Sequence, residues 1–325
     1  MVIAIVGLLA SVCGAAARMR GGSGVFKFEP ADGKWLDVLY KGKQIARYMC
    51  GHDTSDAAKT FETYKPFLHV YDPASGQRLT NGPDGESKYF GEKITYPHHR
   101  GIFIGWNKLT FEGKRYDLWH MKAAHQVHQE FEAFKTTARS ASFTSVVHWN
   151  DDKDNEGEPI LVEHRTMTLT APSSEDVKGG NCMVIVDFET ELKAVRGDVY
   201  LDGDPEHAGM QYRPHNGVAA GPAEGRAKYL FHAEGIDPKK DKDMPWVVLK
   251  YELDGKPYVV QYMNHPSNPK GTVYSAYRDY GRFGAFFKET VKKGETLKLR
   301  YRMRIGRGEM LSRGEAAANF ASYVK

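Results

Sequence analysis

The segment "TLKLRYRMRI" alternates without a break: Leu297, Leu299, Tyr301, Met303 and Ile305 are apolar, and Lys298, Arg300, Arg302 and Arg304 stand between them. Side chains on a strand point to opposite faces with period two, so such a segment is suited to burial on one side only. "LVEHRTMTL" repeats the pattern, with Leu161, Glu163, Arg165, Met167 and Leu169 sharing a face. In "MVIVDFETEL", Val184, Val186, Phe188 and Leu192 oppose Asp187, Glu189 and Glu191. One-sided burial marks antiparallel strands. "ADGKW", "LYKGKQI", "FEGKRYDLW" and "LDGKPYVVQY" each place a glycine after a charged residue between strand-like runs, which is hairpin chemistry. Helical pattern is confined to a turn or so in "SDAAKTFETY" and to the closing "RGEMLSRGEAAANFASYVK". The chain is therefore expected to be all-β, a large antiparallel two-sheet sandwich with a short C-terminal helix.

The 45 Lys and Arg residues against 41 Asp and Glu give a net charge of +4, too weak and dispersed for a nucleic-acid partner. After the start, no apolar stretch reaches the roughly twenty residues that a membrane-spanning helix needs. The first seventeen residues differ from the rest: "VIAIVGLLASVCGAAA" is apolar, and Ala15-Ala16-Ala17 satisfies the small-x-small rule for a cleavage site. Residues 1–17 read as a signal peptide, atypical in lacking basic residues ahead of its apolar part, and the expected location is periplasmic or secreted. Residues 24–325 read as one sandwich domain. Of three cysteines, Cys13 would leave with the signal. Two separate thiols at Cys50 and Cys182 are the simpler reading, with pairing in an oxidising compartment left open. "NDDKDNEGEP", residues 150–159, reads as a polar hairpin loop without full calcium-loop spacing.

Five polar clusters interrupt the strand-like sequence. "TYPHHRGIFIGW" sets Tyr96, His98, His99 and Arg100 at the entrance of an apolar run, and "YDLWH" gives Asp117, Trp119 and His120. "VEHRT" supplies Glu163, His164 and Arg165, "MQYRPHN" brings Arg213 and His215, and "MNHPSNP" brings His265 and Asn268. Histidine exchanges its proton near neutral pH and is the commonest metal ligand. Arginine offers a fixed fork of donors for carboxylates or hydroxyls. Glu163 and Arg165 face an apolar interior together, either as a buried pair tying the sheets or as the lining of a cleft that tunes a general acid. Adjacent histidines on an extended chain point to opposite faces, so His98 and His99 are expected to send one ring at most into a site. "HQVH", with His125 and His128, has helical spacing. No HxH or HExxH occurs, so spacing alone gives no metal set.

Together "YPHHRGIFIGW", "DLWH", "VEHRTMTL", "HPSNP" and "LKLRYRMRI" resemble a bacterial family labelled PmoA-like or DUF6807, over about residues 30–310. The resemblance implies a β-supersandwich related to galactose mutarotase, and a place in carbohydrate catabolism. It carries over His98, His99, Arg100, His120, Glu163, Arg165, His265 and Asn268. On this reading His98, His99, His120 and Glu163 are catalytic, while Arg100, Arg165, Trp119, His265, Asn268 and Arg213 contact a carbohydrate ligand. The expected activity is that of an exported carbohydrate-active enzyme working by histidine and glutamate acid–base chemistry, through hydrolysis, elimination or epimerisation. Only Glu163 is a persuasive carboxylate, with Asp117 a weak second, which disfavours two-carboxylate hydrolysis. The alternatives are a non-catalytic carbohydrate-binding protein and a metal-dependent enzyme using the histidines. The sequence names no cofactor.

Overall fold

The alternating segments pair with one another in the computed structural model, which describes residues 24–86, 94–122, 124–151, 157–173 and 182–325. The expected signal segment, 1–17, lies outside the described residues, as do 152–156 of the polar loop. One eight-stranded antiparallel sheet runs in the order β1 (Phe26–Ala31), β2 (Trp35–Tyr40), β3 (Lys43–Met49), β4 (Phe67–Val70), β5 (Ile102–Trp106), β13 (Ala208–Tyr212), β18 (Phe283–Phe286) and β17 (Val273–Tyr274). A second runs β14 (Lys228–Phe231), β15 (Trp246–Leu253), β16 (Lys256–Asn264), β20 (Thr296–Arg307), β11 (Cys182–Ala194), β10 (Leu161–Thr170), β9 (Ser140–Asn150) and β8 (His125–Thr136). A small sheet joins β19 (Glu289–Val291), β12 (Val199–Asp202), β6 (Lys108–Phe111) and β7 (Lys114–Tyr116). The fold is an all-β sandwich, as the alternation requires.

The hairpins close as their sequences demand. At Asp32-Gly33, Lys41-Gly42, Glu112-Gly113 and Asp254-Gly255 both turn residues have positive φ. That is the type I′ geometry whose twist matches the flanking strands, and it explains the glycine after each charged residue. Val38, Ala46 and Tyr48 of the first sheet meet Phe143, Met167, Phe188 and Met303 of the second in the main apolar core. Tyr48 donates to Ser145 Oγ at 3.0 Å across the layers. The solvated face of the second sheet is a charge ladder. Arg302 pairs with Asp187, Arg300 with Glu189 and Lys298 with Glu191, each opposite its partner in register. Each exposed pair contributes about 0.2–1 kcal/mol, and the basic row is neutralised rather than free for a polyanion.

Three helices are described: α1 (Ala57–Thr63), α2 (Asn216–Ala220) and α3 (Arg313–Tyr323). The C-terminal α3 opens with a capping box between Ser312 and Glu315 and covers Trp246, Val248, Val259 and Met263 on the outside of the second sheet. Among the described residues, no helix is long and apolar enough to cross a membrane. Cys50 and Cys182 are both free, and burial pushes the Cys50 thiol up to about 12. The helical spacing of His125 and His128 misleads, since both lie on β8, where residues three apart face opposite ways.

Three interior histidines tie stability to pH. His69 sits between Thr80 Oγ1 at 2.8 Å and the Pro83 carbonyl at 3.0 Å, and burial holds its pKa well below the ordinary value. Burial lowers His128, bonded to Ser145, to about 4, and lowers His215, whose Nδ1 accepts the Gly217 N–H ahead of α2, also to about 4. The unfolded chain binds these protons near pH 6.5 and the folded protein does not, so stability is complete above that value and falls below it. Each group is expected to remove about 1.4 kcal/mol per pH unit between roughly 6.5 and 4. Urea midpoints measured from pH 7 to 4.5 check this; a flat profile down to the carboxylate range contradicts it.

Candidate functional site

On the outward side of the first sheet, loops carry the polar clusters over a small apolar floor. Ile102, Ile104 and Trp106 of β5 turn into the sandwich, while Phe103 turns outward and joins Met49, Phe67 and Trp119. The approach is close: a Cβ on Gly105 would lie 2.3 Å from the Leu118 carbonyl oxygen, so only glycine lets the loop carrying Trp119 and His120 rest on the strand.

His98 and His99 both enter the site, contrary to the expectation for an extended chain. The backbone there is a turn: Tyr96 has φ of 54°, the His99 N–H donates to the Tyr96 carbonyl at 3.0 Å, and Gly101 has φ of 29°. The two rings lie 4.2 Å apart between centroids. Buried Lys65 fixes the loops by donating to the carbonyls of His98 at 2.9 Å and Trp119 at 2.6 Å, and Asn81 holds the His99 carbonyl at 2.8 Å. Burial, then the nearby Arg100 charge, keeps the Lys65 pKa well below that of a free lysine.

His120 and a histidine that sequence reasoning passed over, His207, complete the cluster. His120 is 4.5 Å from His98 and 4.8 Å from His207 between ring centroids. The two are built alike. Asp117 accepts the backbone N–H groups of Trp119 and His120 and takes His120 Nδ1 at 2.9 Å. Asp204 accepts the Glu206 N–H and takes His207 Nδ1 at 2.8 Å, itself held by Asn107 at 2.6 Å. Burial alone would raise both carboxyls, but the hydrogen bonds from their histidines prevail and hold them below the usual range. With Nδ1 committed to a carboxylate, each ring turns Nε2 outward. His98 adds a buried Nε2 that has no hydrogen-bond partner. One ligand nitrogen from each of His98, His120 and His207 lies within 4.8 Å of the others.

Burial first, then the neighbouring His120, holds the His98 pKa down to about 2, and burial and the Arg282 charge keep His99 well below its ordinary value. Three imidazoles brought together, two of them backed by carboxylates, are the donor set of a transition-metal centre with open coordination positions. A tetrahedral ion holds its nitrogens roughly 3.4 Å apart, a contraction within reach of small side-chain rotations.

The other expected residues do other work. Glu163 and Arg165, both fully buried, do not join the histidines: Arg165 forks onto Glu163 with both bonds at 2.8 Å, Trp149 and Thr190 complete the carboxylate at 2.8 Å each, and Arg165 also reaches the Pro66 carbonyl. A carboxylate with four such donors is a structural tie inside the sandwich. Arg100 is likewise taken: it donates to the carbonyls of Glu62 and Phe61, in the last turn of α1, and its guanidinium lies over Tyr64 at 4.1 Å. It caps carbonyls that the helix cannot satisfy. Arg213 donates to the carbonyls of Pro214, Tyr280 and Thr95, and so holds the 95–101 loop. His265 bonds Ser267 and meets Tyr323 of α3 edge-on, and Asn268 pairs with the Arg300 backbone, so neither joins the cluster. Trp119 is fully buried beneath His99 and His207 rather than open to a ligand. The exposed aromatic at the rim is Tyr96, which rests on Tyr280 at 5.0 Å.

No curated protein matches the chain. Among solved structures it is similar to heparan sulfate lyase HepC from Pedobacter heparinus, at 8% identity and a TM-score of 0.42, with 87% of this chain aligned to 37% of that one. It is also similar to the GH36 alpha-galactosidase AgaA from Geobacillus stearothermophilus, at 8% identity and a TM-score of 0.37, with 88% aligned to 39%. The chain thus spans about two fifths of the length of the solved structures it matches. Residues 35–321 match the family of unknown function DUF6807, and the chain belongs to that family.

Proposed function

We propose that the protein is a metal-dependent enzyme acting on a hydroxyl-rich small molecule of the carbohydrate class, with a divalent transition ion held by His98, His120 and His207. The observation that carries this reading is the paired construction at Asp117–His120 and Asp204–His207, which commits Nδ1 of both rings and leaves their Nε2 atoms to join His98 in a set whose ligand nitrogens lie within 4.8 Å of one another. Such an ion polarises a substrate carbonyl or hydroxyl and lowers the pKa of bound water. The chain's own residues supply the rest. Asp117 and Asp204 fix the orientation and tautomer of their histidines. His99, neutral and with an open Nδ1, stands beside His98 as the proton carrier. Tyr96 offers a ring face at the rim, in a backbone conformation that a tyrosine adopts only under constraint. This replaces the histidine–glutamate scheme, because Glu163 is consumed inside the sandwich. The test is turnover on a panel of glycosides and 3-keto-glycosides before and after chelation. Activity should vanish with the metal and return when zinc, iron, copper or nickel is added; turnover unchanged by complete metal removal contradicts the reading.

A further inference from the structure

Among the described residues four arginines are fully buried, and three are accounted for by carbonyls or carboxylates. The fourth, Arg282, is not. None of its Nε, Nη1 and Nη2 atoms has a hydrogen-bond acceptor, although the side chain is 0% exposed. An uncompensated buried charge is strongly unfavourable, so a sequence that keeps one keeps it for something the free protein lacks. Two neighbours bear on it, the Tyr280 phenol and the Glu206 carboxylate, yet no acceptor lies in bonding geometry to its three nitrogens. The Glu206 carboxylate is already forked by Arg278 and bonded by Tyr277 at 3.1 Å. The Arg282 charge acts on both the His98 and His99 rings, which places it beside the cluster. His99 Nδ1 and Trp119 Nε1 are also buried without partners. The unsatisfied donors therefore gather on the side of the histidine cluster, where Tyr96 and Tyr280 form the rim.

We infer that Arg282 is the seat of a ligand carboxylate, and that the molecule worked on at the histidine centre is a carboxylated polyol, a uronic or aldonic acid. This rests on the metal reading above for the reacting end of the molecule, but the anion seat stands on Arg282 itself. A guanidinium presents a planar fork that matches a carboxylate. Arg213 also bears on His99, but its Nη groups are spent on carbonyls. Arg282 therefore offers a whole unoccupied fork beside the cluster, and a single planar fork fits a planar carboxylate. The role first expected of Arg100 and Arg165 thus falls to an arginine in "YGRFG", whose preceding Gly281 has φ of 83° and packs on Pro214.

The test combines calorimetric titration and thermal unfolding of the zinc-loaded full chain, using wild type, Arg282→Met and Arg282→Lys, with glucuronate, gluconate, glycolate, glucose and inorganic phosphate as probes. Wild type should bind at least one of the three carboxylates and be stabilised by it. Arg282→Met should bind that probe roughly tenfold to a hundredfold more weakly, the loss expected for a charged hydrogen bond, and Arg282→Lys should fall between. Without ligand, Arg282→Met should unfold at the same temperature as wild type or higher and keep its metal, since a ligand seat contributes nothing to the empty fold. Carboxylate affinity unchanged in Arg282→Met, failure of all three carboxylates to bind wild type, or tighter binding of phosphate than of any carboxylate each overturns the inference. A melting temperature of Arg282→Met well below that of wild type, with carboxylate affinity retained, marks Arg282 as structural. Arg282-dependent carboxylate binding by a protein that takes up no metal would leave the seat standing and remove the metal reading instead.

Discussion

Replacing Arg165 with methionine is expected to destabilise the protein by about 3–5 kcal/mol, a large share of the roughly 5–15 kcal/mol that keeps a typical domain folded. The side chain is fully enclosed and makes both bonds of a fork to Glu163, each 2.8 Å long. Removing it strands a carboxylate in the apolar interior with only the Trp149 and Thr190 donors, 2.8 Å away, to compensate. The partner experiment separates structure from chemistry. A double variant, Glu163→Leu with Arg165→Met, removes both charges and should recover much of the stability, because replacing a buried pair by apolar groups is far less costly than breaking it. Urea denaturation of the single and double variants gives both numbers. Equal destabilisation of the two, or a single variant that folds normally but loses turnover, would return Glu163 and Arg165 to the functional site.

Replacing His207 with alanine is expected to weaken metal affinity by well over a hundredfold while leaving the melting temperature of the metal-free protein close to that of wild type. The ring is partly exposed, and its bonds are local to the 204–207 turn. Replacing Asp204 with asparagine keeps the turn but weakens the support of Nδ1, and should lower affinity by about 10- to 100-fold. The graded order, with ligand removal above carboxylate removal, is the signature of a supported metal centre. Competition with a chromophoric chelator measures both. His265→Ala is the control, since that ring lies against Tyr323 beside α3 and should not affect the metal.

The fold was legible because one-sided strands leave a period in the sequence that no other element shares. The faces assigned to 161–169, 184–192 and 297–305 match the burial of β10, β11 and β20, apart from Leu297, which is half-buried at the strand's start, and Ile185, which is buried on the opposite face. The four glycine hairpins were equally plain, because a positive φ restricts residue choice. The site was half legible. His98, His99 and His120 meet, but Glu163, Arg165, Arg100 and Arg213 drew notice by being charged among apolar residues, and that is also how buried structural ties look. His207 was missed because its neighbours "DPEH" carry no apolar period. What would have found it is the spacing repeated in "DLWH" and "DPEH": an aspartate three residues before a histidine, twice, each closing its own turn. Arg282 leaves no local signal at all. Its meaning depends on the absence of acceptors in three dimensions, which a linear pattern does not encode.

Elemental analysis of the purified protein decides whether the three histidines hold a metal. One transition-metal ion per chain is expected in wild type, with zinc, iron, copper or nickel accepted, and a near-complete loss of it in His98→Ala, His120→Ala and His207→Ala, all still folded. A wild-type protein that takes up no metal even after incubation with each of these ions, or one whose metal content is indifferent to all three substitutions, contradicts it.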